Sequence, residues 1–124
     1  MPSFSGGPLL NSGPNPSVRL EMLISNEDLA ATAIIELQVF QIPLSSAGAP
    51  RIPVAHQLFS LAPLTVTTRE VSLAGFPAFE AQFRVTGSNV VIDLFAVDAA
   101  GALNAAQRVL QQEETAISAI TPVP

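Results

Sequence analysis

The sequence predicts an all-β chain: an antiparallel β-sandwich of jelly-roll or Greek-key type with an extended N-terminal arm. Three observations carry that expectation. Residues 79–86 alternate strictly, with Phe79, Ala81, Phe83 and Val85 apolar and Glu80, Gln82, Arg84 and Thr86 polar. A period of two is that of a strand with one dry and one wet face. Short runs rich in β-branched and aromatic residues recur between turn clusters of Gly, Pro, Asn and Asp, and no long helical period appears. That pattern belongs to a sandwich of short strands, and their unequal length and burial favour a jelly roll or Greek key over a closed barrel.

Residues 1–16 form the arm. Pro2, Gly6, Gly7, Pro8, Gly13, Pro14 and Pro16 exclude a helix and interrupt a sheet ladder. Phe4, Leu9 and Leu10 are apolar anchors that a merely solvated tail does not need. They predict docking, either on the chain's own domain or by strand addition to a neighbour. Residues 17–124 form the sandwich domain.

The first strand of the domain runs from Ser17 to about Ser25, where Val18, Leu20, Met22 and Ile24 alternate with Arg19, Glu21 and Leu23. Asn26-Glu27-Asp28 is a turn, with at most a short helical stretch after it. The second strand covers about residues 32–42 and ends at Pro43. A loop follows to Pro53, then strands over 54–60 and 64–73, separated by Ala62-Pro63. Ala74-Gly75-Phe76-Pro77 is the next turn.

Residues 79–86 and the apolar run 90–97 are read as a hairpin closed by Gly87-Ser88-Asn89. The second of these strands is nearly all apolar, as expected of a central strand covered on both faces. Asp98-Ala99-Ala100-Gly101 is a turn. A seventh strand is expected over 105–110, extended or followed by an eighth over 111–117. The Pro-containing end, residues 121–124, is irregular.

The composition narrows the function. The chain of 124 residues has no Cys, which removes disulfides, thiolate nucleophiles and cysteine metal sites. Charged residues make up 12% of it, against about 25% in an average domain. Five Arg, no Lys and a net charge of −5 exclude the basic face that nucleic acid or an anionic membrane requires. A 48% hydrophobic chain with so few charges is expected to bury part of its outer surface against other subunits. No cleaved signal peptide is visible at residues 1–7, and no apolar run is long enough to span a bilayer.

Candidates for chemistry are few. His56 is the only imidazole, with no acid near it in sequence, and reads as a strand-surface or interface residue. Glu113 and Glu114, on a strand, would point to opposite faces and form a solvated or Arg-paired edge. Glu27 and Asp28 match no calcium-loop spacing. Asp93, inside an apolar strand, is expected to pair with Arg84 or Arg108. No phosphate-binding loop, dinucleotide fingerprint or nucleophile elbow is present. Neither a catalytic residue, a metal site nor a cofactor is expected.

The runs 79–83, 89–103 and 107–110, with 17–24 before them, resemble small cysteine-poor proteins of endospore-forming bacteria. The resemblance covers roughly residues 17–115. It implies a spore-surface or exosporium-associated β-sandwich, and more distantly it is similar to endospore appendage pilins. Those are jelly-roll subunits whose N-terminal connector docks into a neighbour. This chain departs from them in lacking the cysteines that crosslink their fibres.

The expected function is therefore a self-assembling, non-enzymatic structural subunit of an extracellular or spore-surface fibre or layer. Phe4, Leu9 and Leu10 would anchor the arm in the next copy. The expected partner is the same chain, as a homopolymer; an anchoring protein is left open. The alternative is a β-sandwich binding module for a carbohydrate or protein, against which the absence of Trp and Tyr weighs.

Overall fold

The computed structural model describes residues 3–44, 48, 50–87 and 89–121. Two antiparallel sheets pack face to face. Their strands are β1 (Ser3–Ser5), β2 (Leu9–Leu10), β3 (Ser17–Asn26), β4 (Ala33–Gln41), β5 (Ile52–Leu61), β6 (Thr65–Ser72), β7 (Ala78–Thr86), β8 (Val90–Asp98) and β9 (Thr115–Ile117). The larger sheet has the order β5-β4-β7-β1-β9, with β2 also on β7; the smaller is β6-β3-β8. The expected all-β sandwich is what forms. Met1, Pro2, Ser45, Ser46, Ala47, Ala49, Ser88 and residues 122–124, which include parts of the expected arm, loop, turn and tail, lie outside the described residues.

The core lies between the sheets. Leu20, Met22 and Ile24 of β3 and Ile92, Leu94 and Ala96 of β8 face Ile35, Leu37 and Val39 of β4 and Phe79, Ala81, Phe83 and Val85 of β7. Each set follows the two-residue period, because alternate side chains of a strand share a face. Among the described residues no helix is long and apolar enough to cross a membrane.

The expected hairpin over 79–97 is corrected. β7 pairs with β4 on one edge and with β1 and β2 on the other, while β8 pairs with β3 in the opposite sheet. The link after Thr86 is thus a corner between sheets. The apolar faces of β7 and β8 oppose one another across the core. β8 is also an edge strand: its free side is covered by the segment 103–111, through isolated bridges from Leu94 to Val109 and from Val97 to Leu103 and through hydrogen bonds with Asn104 and Gln111.

The seventh and eighth strands are corrected too. Residues 105–107 and 111–113 are 3-10 turns, and only Thr115–Ile117 is strand. The side chains of Asn104, Gln107, Gln111 and Glu113 bind backbone and side chains instead of standing on a sheet face. The turn at Asn26-Glu27-Asp28 forms as expected. Asp28 accepts the N–H groups of Ala30 and Ala31 at 2.9 and 2.8 Å, and these bonds, with Asn89, hold its carboxyl below the usual range.

Candidate functional site

The arm docks along β7. Ser3, Phe4 and Ser5 lie opposite Arg84, Phe83 and Gln82, and Leu9 and Leu10 lie opposite Phe79 and Ala78. Between and beyond these pairs, Gly6 donates its N–H to Ala81 O at 3.0 Å and Asn11 donates to Pro77 O at 2.9 Å. The arm therefore follows almost the whole length of β7. On its other side β1 pairs with β9. Among the described residues, β9 has no other strand partner. The arm fills a slot with β7 as one wall and β9 as the other.

Alternation decides which arm residues face which way. Phe4 points into the sandwich and packs against the core, as does Leu9. Leu10 remains 64% exposed, so it does not anchor the arm within its own chain. Gly6 is required by close approach: a Cβ there would lie 2.8 Å from Leu94 Cδ1. Gly7 has φ of 78°, a left-handed conformation that turns the arm between β1 and β2.

Ser3 and Ser5 point to the outer face and are nonetheless buried. Ser5 Oγ donates to Glu80 Oε2 at 2.6 Å and accepts the Gly7 N–H at 2.9 Å. Glu80 also accepts Gln82 Nε2 at 3.0 Å and forms an ion pair with Arg51. Burial pushes the Glu80 carboxyl up, but the donors Ser5, Arg51 and Gln82 outweigh it and hold the group below the usual range. Gln82 in turn receives the C-terminal segment: its Oε1 accepts the Thr121 N–H at 2.7 Å, and its Nε2 donates to Thr121 Oγ at 3.0 Å.

The face of β7 expected to be wet is therefore mostly buried. Glu80 and Gln82 are each 3% exposed, and only Arg84 of the polar set stays open. Sequence reasoning missed this layer. The signal was present in Ser3-Phe4-Ser5, a short period-two run whose small polar residues fit under a covered face, where Ser5 is hydrogen-bonded.

A second polar cluster fixes the base of the arm. Asn11 Nδ2 donates to Ser17 O at 2.8 Å and Phe76 O at 3.0 Å, while Oδ1 accepts the Ser17 N–H at 2.7 Å. Gln107 Nε2 donates to Leu10 O at 2.5 Å, and its Oε1 accepts the Ser17 hydroxyl.

Other expected residues fall elsewhere. His56 is half-exposed on β5, as read, but Glu36 of β4 comes within 2.7 Å of its Nε2. Glu36 also pairs with Arg84 at 2.5 Å. Asp93 pairs with neither Arg84 nor Arg108; its Oδ1 accepts the Gln111 N–H at 2.9 Å. Glu113 accepts the Leu110 N–H at 2.9 Å, whereas both oxygens of Glu114 are buried with no hydrogen-bond partner among the described residues. Glu113 is exposed, as a solvated edge residue would be, but Glu114 is not: it follows the 3-10 turn Gln111–Glu113 and its carboxyl oxygens are covered. Among the described residues no three His, Cys, Asp or Glu side chains gather as metal ligands.

No family model and no curated protein matches the chain. Among solved structures, the crystal structure of Thermotoga maritima 1070 is similar over 83% of this chain and 86% of that chain, at 16% sequence identity and a TM-score of 0.46.

Proposed function

We propose that this chain is a non-enzymatic structural subunit of an extracellular or spore-surface fibre or layer. Each copy passes residues 3–10 into the slot between β7 and β9 of the next. The observation that carries the reading is the strand order β7-β1-β9. A strand from an N-terminal extension lies inside a sheet, and its hydrogen bonds are equally available to the same residues of another copy. Such an exchange is an inexpensive route to association, and a head-to-tail contact that does not close propagates.

Residues 11–16, with Gly13, Pro14 and Pro16, join the arm to the domain without regular strand structure. The low charge and missing Lys fit a surface made for contact. The test compares the intact chain with a variant lacking residues 2–10 by negative-stain microscopy and light scattering. Large assemblies from the intact chain alone support the reading; equal assembly by both removes it.

A second reading, a binding module for a carbohydrate or protein, is favoured by one feature. The outer face of the smaller sheet carries a shallow depression of about 450 Å³, with Leu23, Phe95 and Leu103 framed by Glu21, Thr68 and Glu70. Saturable binding on a glycan array by an unassembled protein would favour it.

A further inference from the structure

Glu114 occupies a place that the docking of the arm does not explain. It follows the 3-10 turn Gln111–Glu113 and leads directly into β9. The turn is tied to β8: Gln111 donates its N–H to Asp93 Oδ1 at 2.9 Å and accepts the Ile92 N–H on Oε1 at 2.8 Å. β9 then pairs with β1. Glu114 thus stands where the chain crosses from the edge of one sheet to the slot of the other. Both of its carboxyl oxygens are buried, and among the described residues neither has a hydrogen-bond partner. A charge at such a point is unfavourable, because it loses water and gains no donor.

We propose that Glu114 is a proton-operated latch on the slot: its neutral carboxyl keeps β9 against β1, and its ionisation releases β9 and opens the slot to another copy's arm. The regulatory role rests on the reading of the slot as the assembly site. The charged surroundings support it. Burial, and then the Asp93 carboxylate on β8, push the Glu114 carboxyl up to about 8. Glu113, its neighbour on the turn, is engaged with the Leu110 N–H. β1 and β9 contain no charged residue, and Arg84 of β7 is committed to Glu36.

The sign follows from linkage. The closed latch keeps its proton up to a pH of about 8, whereas a released Glu114 gives it up near the ordinary value of 4.5. Across that window the closed form binds one proton more than the open form. Each unit rise in pH then shifts the ratio about tenfold toward the open form, with no further change below 4.5 or above 8.

The test is amide exchange of the full chain between pH 5 and 9, corrected for intrinsic exchange, with light scattering recorded in parallel. Protection of the β1 and β9 amides is expected to fall about tenfold per pH unit up to about 8. In Glu114→Gln it should stay flat. In Asp93→Asn, which keeps an acceptor for Gln111, the fall should end at lower pH. A flat wild-type profile, or an undiminished slope in Glu114→Gln, overturns the latch. The two readings separate: opening with pH but no assembly leaves the latch and removes the assembly role, while assembly with pH-independent protection does the reverse.

Discussion

Ser5 on the arm donates its hydroxyl hydrogen to Glu80 on β7 at 2.6 Å, joining positions 75 residues apart. The bond is buried and its acceptor is charged, a class of hydrogen bond worth about 1.5–3 kcal/mol. Ser5→Ala should lower unfolding stability by that amount in urea titrations. Combined with Glu80→Gln, the two losses should be less than additive, since both remove one contact. Strict additivity would mean that the two side chains do not interact in solution.

Gly6 tests the closeness of the arm. A methyl group at this position meets Leu94 Cδ1, which is itself 1% exposed and has little room to move. Gly6→Ala should cost about 1–3 kcal/mol through overpacking. Adding Leu94→Val to that variant should recover part of the loss. A neutral Gly6→Ala by thermal unfolding would show that the arm does not lie this close to β8.

Acid should act through Glu80. Its carboxyl is held below 4.5 in the folded chain by Ser5, Arg51 and Gln82, against the opposing effect of burial. A depressed carboxylate contributes stability above its unfolded value, and this is lost as pH falls through the folded value. Unfolding midpoints measured from pH 5 downward should therefore drop, and Glu80→Gln should have a shallower acid limb than the native chain. Parallel acid limbs would assign the loss to other carboxylates.

Asn11 holds the base of the arm with one amide that serves two carbonyls and one N–H. Asn11→Ala leaves those buried groups without partners, at about 1–3 kcal/mol each before relaxation. We expect it to lower stability more than Ser5→Ala does. It should also speed amide exchange selectively in residues 9–17. Exchange unchanged there would place the hinge of the arm elsewhere.

Much of the sandwich was legible because its strands obey a local rule. Leu20, Met22 and Ile24, or Phe79 to Val85, announce their buried face by alternation alone. The separation of β7 and β8 into different sheets was not legible, because a Gly-Ser-Asn link suits a hairpin and a corner between sheets equally well. What separates them is which strands take the edges of β7, and that depends on residues 3–10, far away in the chain. The burial of Glu80 and Gln82 was hidden for the same reason: a polar residue reads as wet until Ser5, Arg51 and Thr121 are known to cover it. Glu114 escaped because a strand was expected where the backbone turns.

The strand order β7-β1-β9 also has a consequence in time. A ribosome makes the arm before it makes either wall of the slot, and the second wall, β9, comes more than a hundred residues after the arm, since β1 ends at Ser5 and β9 begins at Thr115. Until β7 is complete at Thr86, Phe4 and Leu9 lack the strand they pair with, and until Thr115–Ile117 is made β1 lacks its second neighbour. The sandwich is built from contacts distant in sequence, which form slowly. If the arm exchanges between copies as proposed, a growing chain spends about the first two thirds of its synthesis with a free arm and no slot of its own, so crowding of nascent chains, and not only the final concentration of protein, would set how often the arm pairs away from home.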